Sequence, residues 1–203
     1  MDPSTRKVLS AAVIVASLGY FVDIYDLLLF GVIRLPSLRS LGLSKDQVDS
    51  VGLDLINIQM LGLLLGGIFW GILADRKGRL SVLFGSILLY SLANIANGLV
   101  HGTTGYMIWR FVAGLGLAGE LGVGITLVSE ILPTEKRGYG TLIVASVGVS
   151  GAVAGGLLSG LVYWRTCYFI GGGLGLALLF LRIGVAESGM FSSLKLAPVS
   201  RGN

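Results

Sequence analysis

Residues Val8 to Ile33 read VLSAAVIVASLGYFVDIYDLLLFGVI, an apolar run broken by two aspartates, Asp23 and Asp26. As a helix rising 1.5 Å per residue, the run is long enough to cross a hydrocarbon core of roughly 30 Å. In that setting an aspartate near the helix centre costs about 2.5 to 3.5 kcal/mol, so the pair opposes insertion by several kcal/mol. Asp23 and Asp26 are three residues apart and share a helical face with Gly19 and Phe30, and that face must point into a helix bundle or toward water. Two readings of the pair stand: a buried polar network that fixes packing, or a protonatable site on a transport path.

Composition places the whole chain in a bilayer. Hydrophobic residues make up 54% of 203 and charged residues 13%, and the mean hydropathy is +0.85, which excludes a soluble globular protein. Six apolar segments follow, at 8–33, 51–73, 80–100, 106–132, 139–162 and 166–186, separated by brief polar breaks that force antiparallel neighbours. The N-terminal segment imitates a signal peptide but is too long, and reads as an uncleaved anchor. With the N-terminus in the cytoplasm, Arg6, Lys7, Arg76, Lys77, Arg79, Lys136, Arg137, Arg182, Lys195 and Arg201 lie inside, and Arg34, Arg39, Lys45, Arg110 and Arg165 outside. Ten against five satisfies the positive-inside rule and accounts for the net charge of +4 without a nucleic-acid partner. Tyr106, Trp109, Tyr163, Trp164 and Tyr168 mark the outer boundary and Trp70 the inner one. Cys167, the single cysteine, reads as a small buried side chain.

Further polar residues interrupt the apolar segments. Asp54 and Asn57 lie three apart on the second, Arg110 opens the fourth and Glu120 sits near its middle. Ten residues, roughly 15 Å of helix, separate Arg110 from Glu120, so each needs a partner on another helix. Asp23 or Asp26 is the candidate partner for Arg110, and acids governed by a nearby cation suit proton coupling. Glycines supply a second pattern: GLLLG (Gly62 to Gly66) and GIFWG (Gly67 to Gly71) on the second segment, GAVAG (Gly151 to Gly155) and GLLSG (Gly156 to Gly160) on the fifth. Close-packing glycines at corresponding places in two three-helix units suit an inverted repeat. His101 reads as a solvated turn residue. No His, Cys or carboxylate spacing fits a metal site, and the glycines from Gly114 to Gly119 lie inside a membrane segment without a preceding strand, so neither a metal nor nucleotide-driven transport is expected.

Three stretches carry a family resemblance. GGIFWGILADRKGRL (Gly66 to Leu80) resembles the signature loop between the second and third helices of the major facilitator superfamily, RFVAGLGLAGELGVGITLVSEILPTEKRG (Arg110 to Gly138) resembles its fourth helix and following loop, and AESGMFSSL (Ala186 to Leu194) resembles the end of its sixth helix. The resemblance implies an all-α membrane protein. Residues 1–190 would form one six-helix half built as a 3+3 inverted repeat with both termini cytoplasmic, and 191–203 a tail or the start of a central linker. It implies secondary active transport in a bacterial inner membrane, with protons and a small solute as partners, no cofactor and no enzymatic activity. A second six-helix unit would complete the carrier, as the C-terminal half, a separate chain or a second copy. Proton coupling would fall to Asp23, Asp26 and Glu120, and solute binding to Tyr25, Asp26, Asp54, Asn57, Arg110 and Glu120. Gly71, Asp75, Arg76, Gly78, Arg79, Glu130 and Arg137 would latch the cytoplasmic side. GYFVDIYDLLLFG resembles the first helix of phosphate and metabolite proton symporters. The fourth helix lacks the tyrosine of the phosphate carriers, and TLVSE departs from the sugar-porter pattern, so an organic acid or related metabolite ranks above phosphate and sugar. A non-transporting membrane scaffold is the alternative reading.

Overall fold

The computed structural model describes the backbone of residues 3–131 and 137–187, and the side chains of residues 13–79, 81–120 and 138–184. Those residues form six helices: α1 Pro3–Ser40, α2 Lys45–Lys77, α3 Arg79–Gly98, α4 Thr103–Ile131, α5 Arg137–Leu161 and α6 Trp164–Glu187. Five stretches within them are long and apolar enough to cross a membrane by length and composition: Val13–Ser40, Lys45–Lys77, Ser81–Gly98, Gly138–Leu161 and Trp164–Gly184.

The first two helices extend well beyond their apolar runs. Residues 34–50 read as a polar connection, yet α1 continues to Ser40 through Pro36 and α2 begins at Lys45. Packing overrides composition here. Ile33 and Leu38 are buried, and the Ser37 hydroxyl donates to the Arg34 carbonyl at 2.8 Å while lying 3.1 Å from the Tyr106 hydroxyl. The chain reverses at Gly42, whose φ of +86° is a left-handed conformation open to glycine. The Ser44 N–H then donates to the Gln47 side chain at 3.0 Å and starts α2. Between α2 and α3 the break is a single residue, Gly78, with φ +85°.

The helices pair reciprocally. α2 lies along α4 and α5 along α1, while α1 also meets α4, and α3 meets both α4 and α6. The second helix of each three-helix unit thus packs on the first helix of the other, the arrangement of an intertwined 3+3 repeat. Glycine makes both contacts possible. A methyl at Gly62 would meet the Phe111 carbonyl oxygen of α4, and one at Gly151 the Phe21 carbonyl oxygen of α1. Gly67, Gly71, Gly156 and Gly160 have open space where a side chain would go. Only one close-packing motif of each pair is therefore used inside the unit.

Several aromatic residues assigned to the membrane boundaries are buried among the helices. Trp70 is buried and donates its indole N–H to the Leu115 carbonyl at 2.6 Å. Tyr106, Trp164 and Tyr168 form one buried cluster, with the Tyr106 and Tyr168 hydroxyls 2.6 Å apart and the Tyr106 and Trp164 rings stacked. Only Trp109 and Tyr163 of the proposed outer belt are exposed. Cys167 is a buried free thiol.

Candidate functional site

Among the described residues, two charge clusters lie inside the six-helix unit. The first joins α1, α3, α4 and α6. Arg110 is fully buried, its guanidinium donating to the Asn94 side-chain oxygen at 2.7 Å and lying 3.7 Å from the Asp26 carboxylate. The Phe30 and Tyr168 rings flank the cation, each with its centroid 4.8 Å from the guanidinium carbon. Ion–quadrupole attraction to these rings replaces part of the hydration that burial removes. Satisfaction is nevertheless incomplete: both Asp26 oxygens and the Nε and Nη1 atoms of Arg110 lack a hydrogen-bond partner. The ion pair is held by charge across a gap too wide for a hydrogen bond.

The second cluster joins α1, α4 and α6. Glu120 and Arg182 form a two-pronged ion pair, with one arm at 3.0 Å and a closer one between Nη2 and Oε1. Gly19 faces this pair, since a methyl there would collide with both Arg182 Nη2 and Glu120 Oε1. Asp23, one helical turn further along α1, is buried and within electrostatic reach of both residues. Asp23 and Asp26 therefore feed different clusters although they lie three residues apart.

Most residues singled out in the sequence have a place in this arrangement. Asp23, Asp26 and Glu120 face the interior of the six-helix unit, 3%, 1% and 4% exposed, the first of the two orientations open to an intramembrane acid. Arg182 and Arg110 are both buried within the bundle, each beside an acid. The partner of Glu120 is Arg182, a residue counted only for topology. Tyr25 is buried and its hydroxyl donates to the Cys167 carbonyl at 3.1 Å, tying α1 to α6. Asp54 and Asn57 are exposed on α2, away from the buried seam of Gly52, Leu55, Gln59, Gly62 and Gly66. Gly71, Asp75, Arg76, Gly78 and Arg79 are exposed around the α2–α3 turn, while the side chains of Glu130 and Arg137 lie outside the described residues.

Sequence reasoning passed over Asn94 and Tyr90, and placed Tyr106 and Tyr168 only at the outer boundary. One signal was available for the first: Ser91, Asn94 and Asn97 recur every third residue in an apolar segment, and all three are fully buried. Their period marks a polar seam facing inward.

A family model for the Major Facilitator Superfamily matches residues 9–200. The chain belongs to that superfamily. A niacin transporter of Acinetobacter baylyi is 33% identical over 162 residues, covering 78% of this chain and 36% of its own. A benzoate transport protein of the same organism is 31% identical over 170 residues, covering 79% and 35%. The inward-open xylose transporter of Escherichia coli has the same fold, with a TM-score of 0.75 at 16% identity, over 96% of this chain and 58% of that one. The chain thus spans little more than a third of the length of the two curated relatives. It is a multi-pass membrane protein of a solute-transport superfamily, and not an enzyme.

Proposed function

We propose that this six-helix unit is one half of a proton-coupled carrier for a small organic acid, with both termini in the cytoplasm and a second six-helix unit completing the solute path. The observation that carries the reading is the Asp26–Arg110 pair, fully buried yet joined at 3.7 Å without a hydrogen bond. A proton arriving at Asp26 removes its charge and leaves Arg110 with two N–H groups free to receive another carboxylate. Loss of that proton restores the internal pair and expels the anion. Substrate and proton are thereby coupled through competition for one guanidinium. Niacin and benzoate, the solutes named for two relatives, are both carboxylic acids of this kind.

The test is uptake of radiolabelled niacin or benzoate into liposomes holding the assembled carrier under an imposed proton gradient. Wild-type protein accumulates the acid against its gradient. Asp26→Asn still exchanges it but no longer accumulates it. Normal accumulation by Asp26→Asn would refute the coupling role, and failure of any small carboxylate to bind or move would favour a membrane scaffold.

A further inference from the structure

The second cluster holds an imbalance of charge that the first does not. Asp26 and Arg110 are one acid and one cation; Asp23 and Glu120 are two acids around one cation, Arg182, and all three are less than a tenth exposed. Fully ionised, the three side chains would leave one uncompensated negative charge buried inside the bundle, which is far costlier than binding a proton. Among the described residues, other groups facing Asp23 do not relieve it. Asp26 on α1 is committed to Arg110, Tyr90 of α3 lies within electrostatic reach but is a phenol, and α5 offers only the exposed Tyr139 as a titratable side chain among its described residues.

Geometry decides which acid takes the proton. Glu120 receives both arms of the Arg182 guanidinium, a fork that favours a carboxylate over a carboxylic acid. Gly19 keeps α1 close to this pair without displacing it. Asp23 has neither arm. We propose that Asp23, Glu120 and Arg182 form a one-proton site in which Arg182 is the positioning residue, holding Glu120 as the carboxylate and leaving the proton on Asp23. The exchange is simple: the Asp23 carboxylic acid releases a proton to water to become a carboxylate, and regains it in reverse. The site deepens the proton-coupled reading above by placing a bound proton apart from the Arg110 pair, but it is tested without transport.

The experiment is infrared spectroscopy of the purified chain in lipid nanodiscs at neutral pH, following the deuterium-sensitive carbonyl stretch of buried carboxylic acids. Wild type is expected to show one such band, and Asp23→Asn to lose it because one acid then matches one cation. Glu120→Gln loses it too, since Asp23 becomes the carboxylate partner of Arg182. Arg182→Lys retains the band, whereas Arg182→Gln raises the signal from one protonated carboxyl to two. Should Arg182→Gln fail to fold, the paired Glu120→Gln/Arg182→Gln variant removes both charges and keeps the single Asp23 band. Absence of the band in wild type, or its survival in Asp23→Asn, overturns the proposal. So does its loss in Asp26→Asn alone, which would move the proton to the Arg110 cluster. Defective accumulation with an intact band in wild type would instead count against the organic-acid carrier and leave the proton site standing.

Discussion

At the scale of single residues, burial makes the charged pairs interdependent. Arg110→Ala leaves the Asp26 carboxylate inside the bundle without its cation, and breaking a buried pair this way costs about 3–5 kcal/mol. Removing both charges with Asp26→Asn/Arg110→Gln costs less, because no lone charge remains. Thermal unfolding in detergent should rank wild type first, the double variant second and Arg110→Ala last; equal losses for the single and double variants would show that Arg110 acts through packing alone. Arg110→Lys keeps the charge but surrenders the planar contacts with Asn94, Phe30 and Tyr168. Its expected signature in the assembled carrier is weaker solute binding at nearly wild-type stability. Gly19→Ala belongs at this scale too. Its methyl would strike the Glu120–Arg182 pair, so a lowered melting temperature is expected, and the shortfall should shrink when Glu120→Asp shortens the facing side chain.

At the scale of helices, the duplicated glycine motifs separate two jobs. Gly62 and Gly151 abut carbonyl oxygens of α4 and α1, where backbone cannot yield as a flexible side chain would. Gly62→Ala and Gly151→Ala therefore force the helices apart, at about 1–3 kcal/mol each for overpacking. Gly67→Ala and Gly156→Ala enter open space on the outward faces of the same helices and should leave the isolated unit's melting temperature unchanged. Measuring the four side by side is decisive, since a uniform response would mean that glycine acts through helix propensity and not through position.

At the scale of the whole molecule, α2 and α5 are the least enclosed of the candidate spans. Leu61, Leu64 and Ile68 on α2 and Val149, Val153 and Leu157 on α5 are exposed large apolar residues. Lipid or another helix must cover them. Because α1 and α4 turn their charged residues inward, the completing unit is expected to dock on α2 and α5. Single cysteines at Leu64 and Leu157, in a Cys167→Ser background, should crosslink to that unit in native membranes. Crosslinks obtained instead from Phe180 of α6, which is also exposed, would place the interface elsewhere.

Amino-acid order alone specifies the solvent, the number of apolar segments and the membership of the superfamily. Those rest on length, hydropathy and local motifs, which survive translation into structure because a bilayer admits few alternatives to a helix. It also named Asp26 and Arg110 as possible partners, since intramembrane charges demand compensation. The remainder comes from how the helices pack. Whether Glu120 pairs with α1 or α6, whether Arg182 has an acid as its partner, and which glycine motif is occupied all depend on how helices distant in sequence are rotated about their own axes. Hydropathy is blind to that rotation when a segment is apolar on every side. The same limit hid the extension of α1 through Pro36, because Ser37 and Leu38 are held helical by contacts with residues elsewhere in the chain, Tyr106 among them.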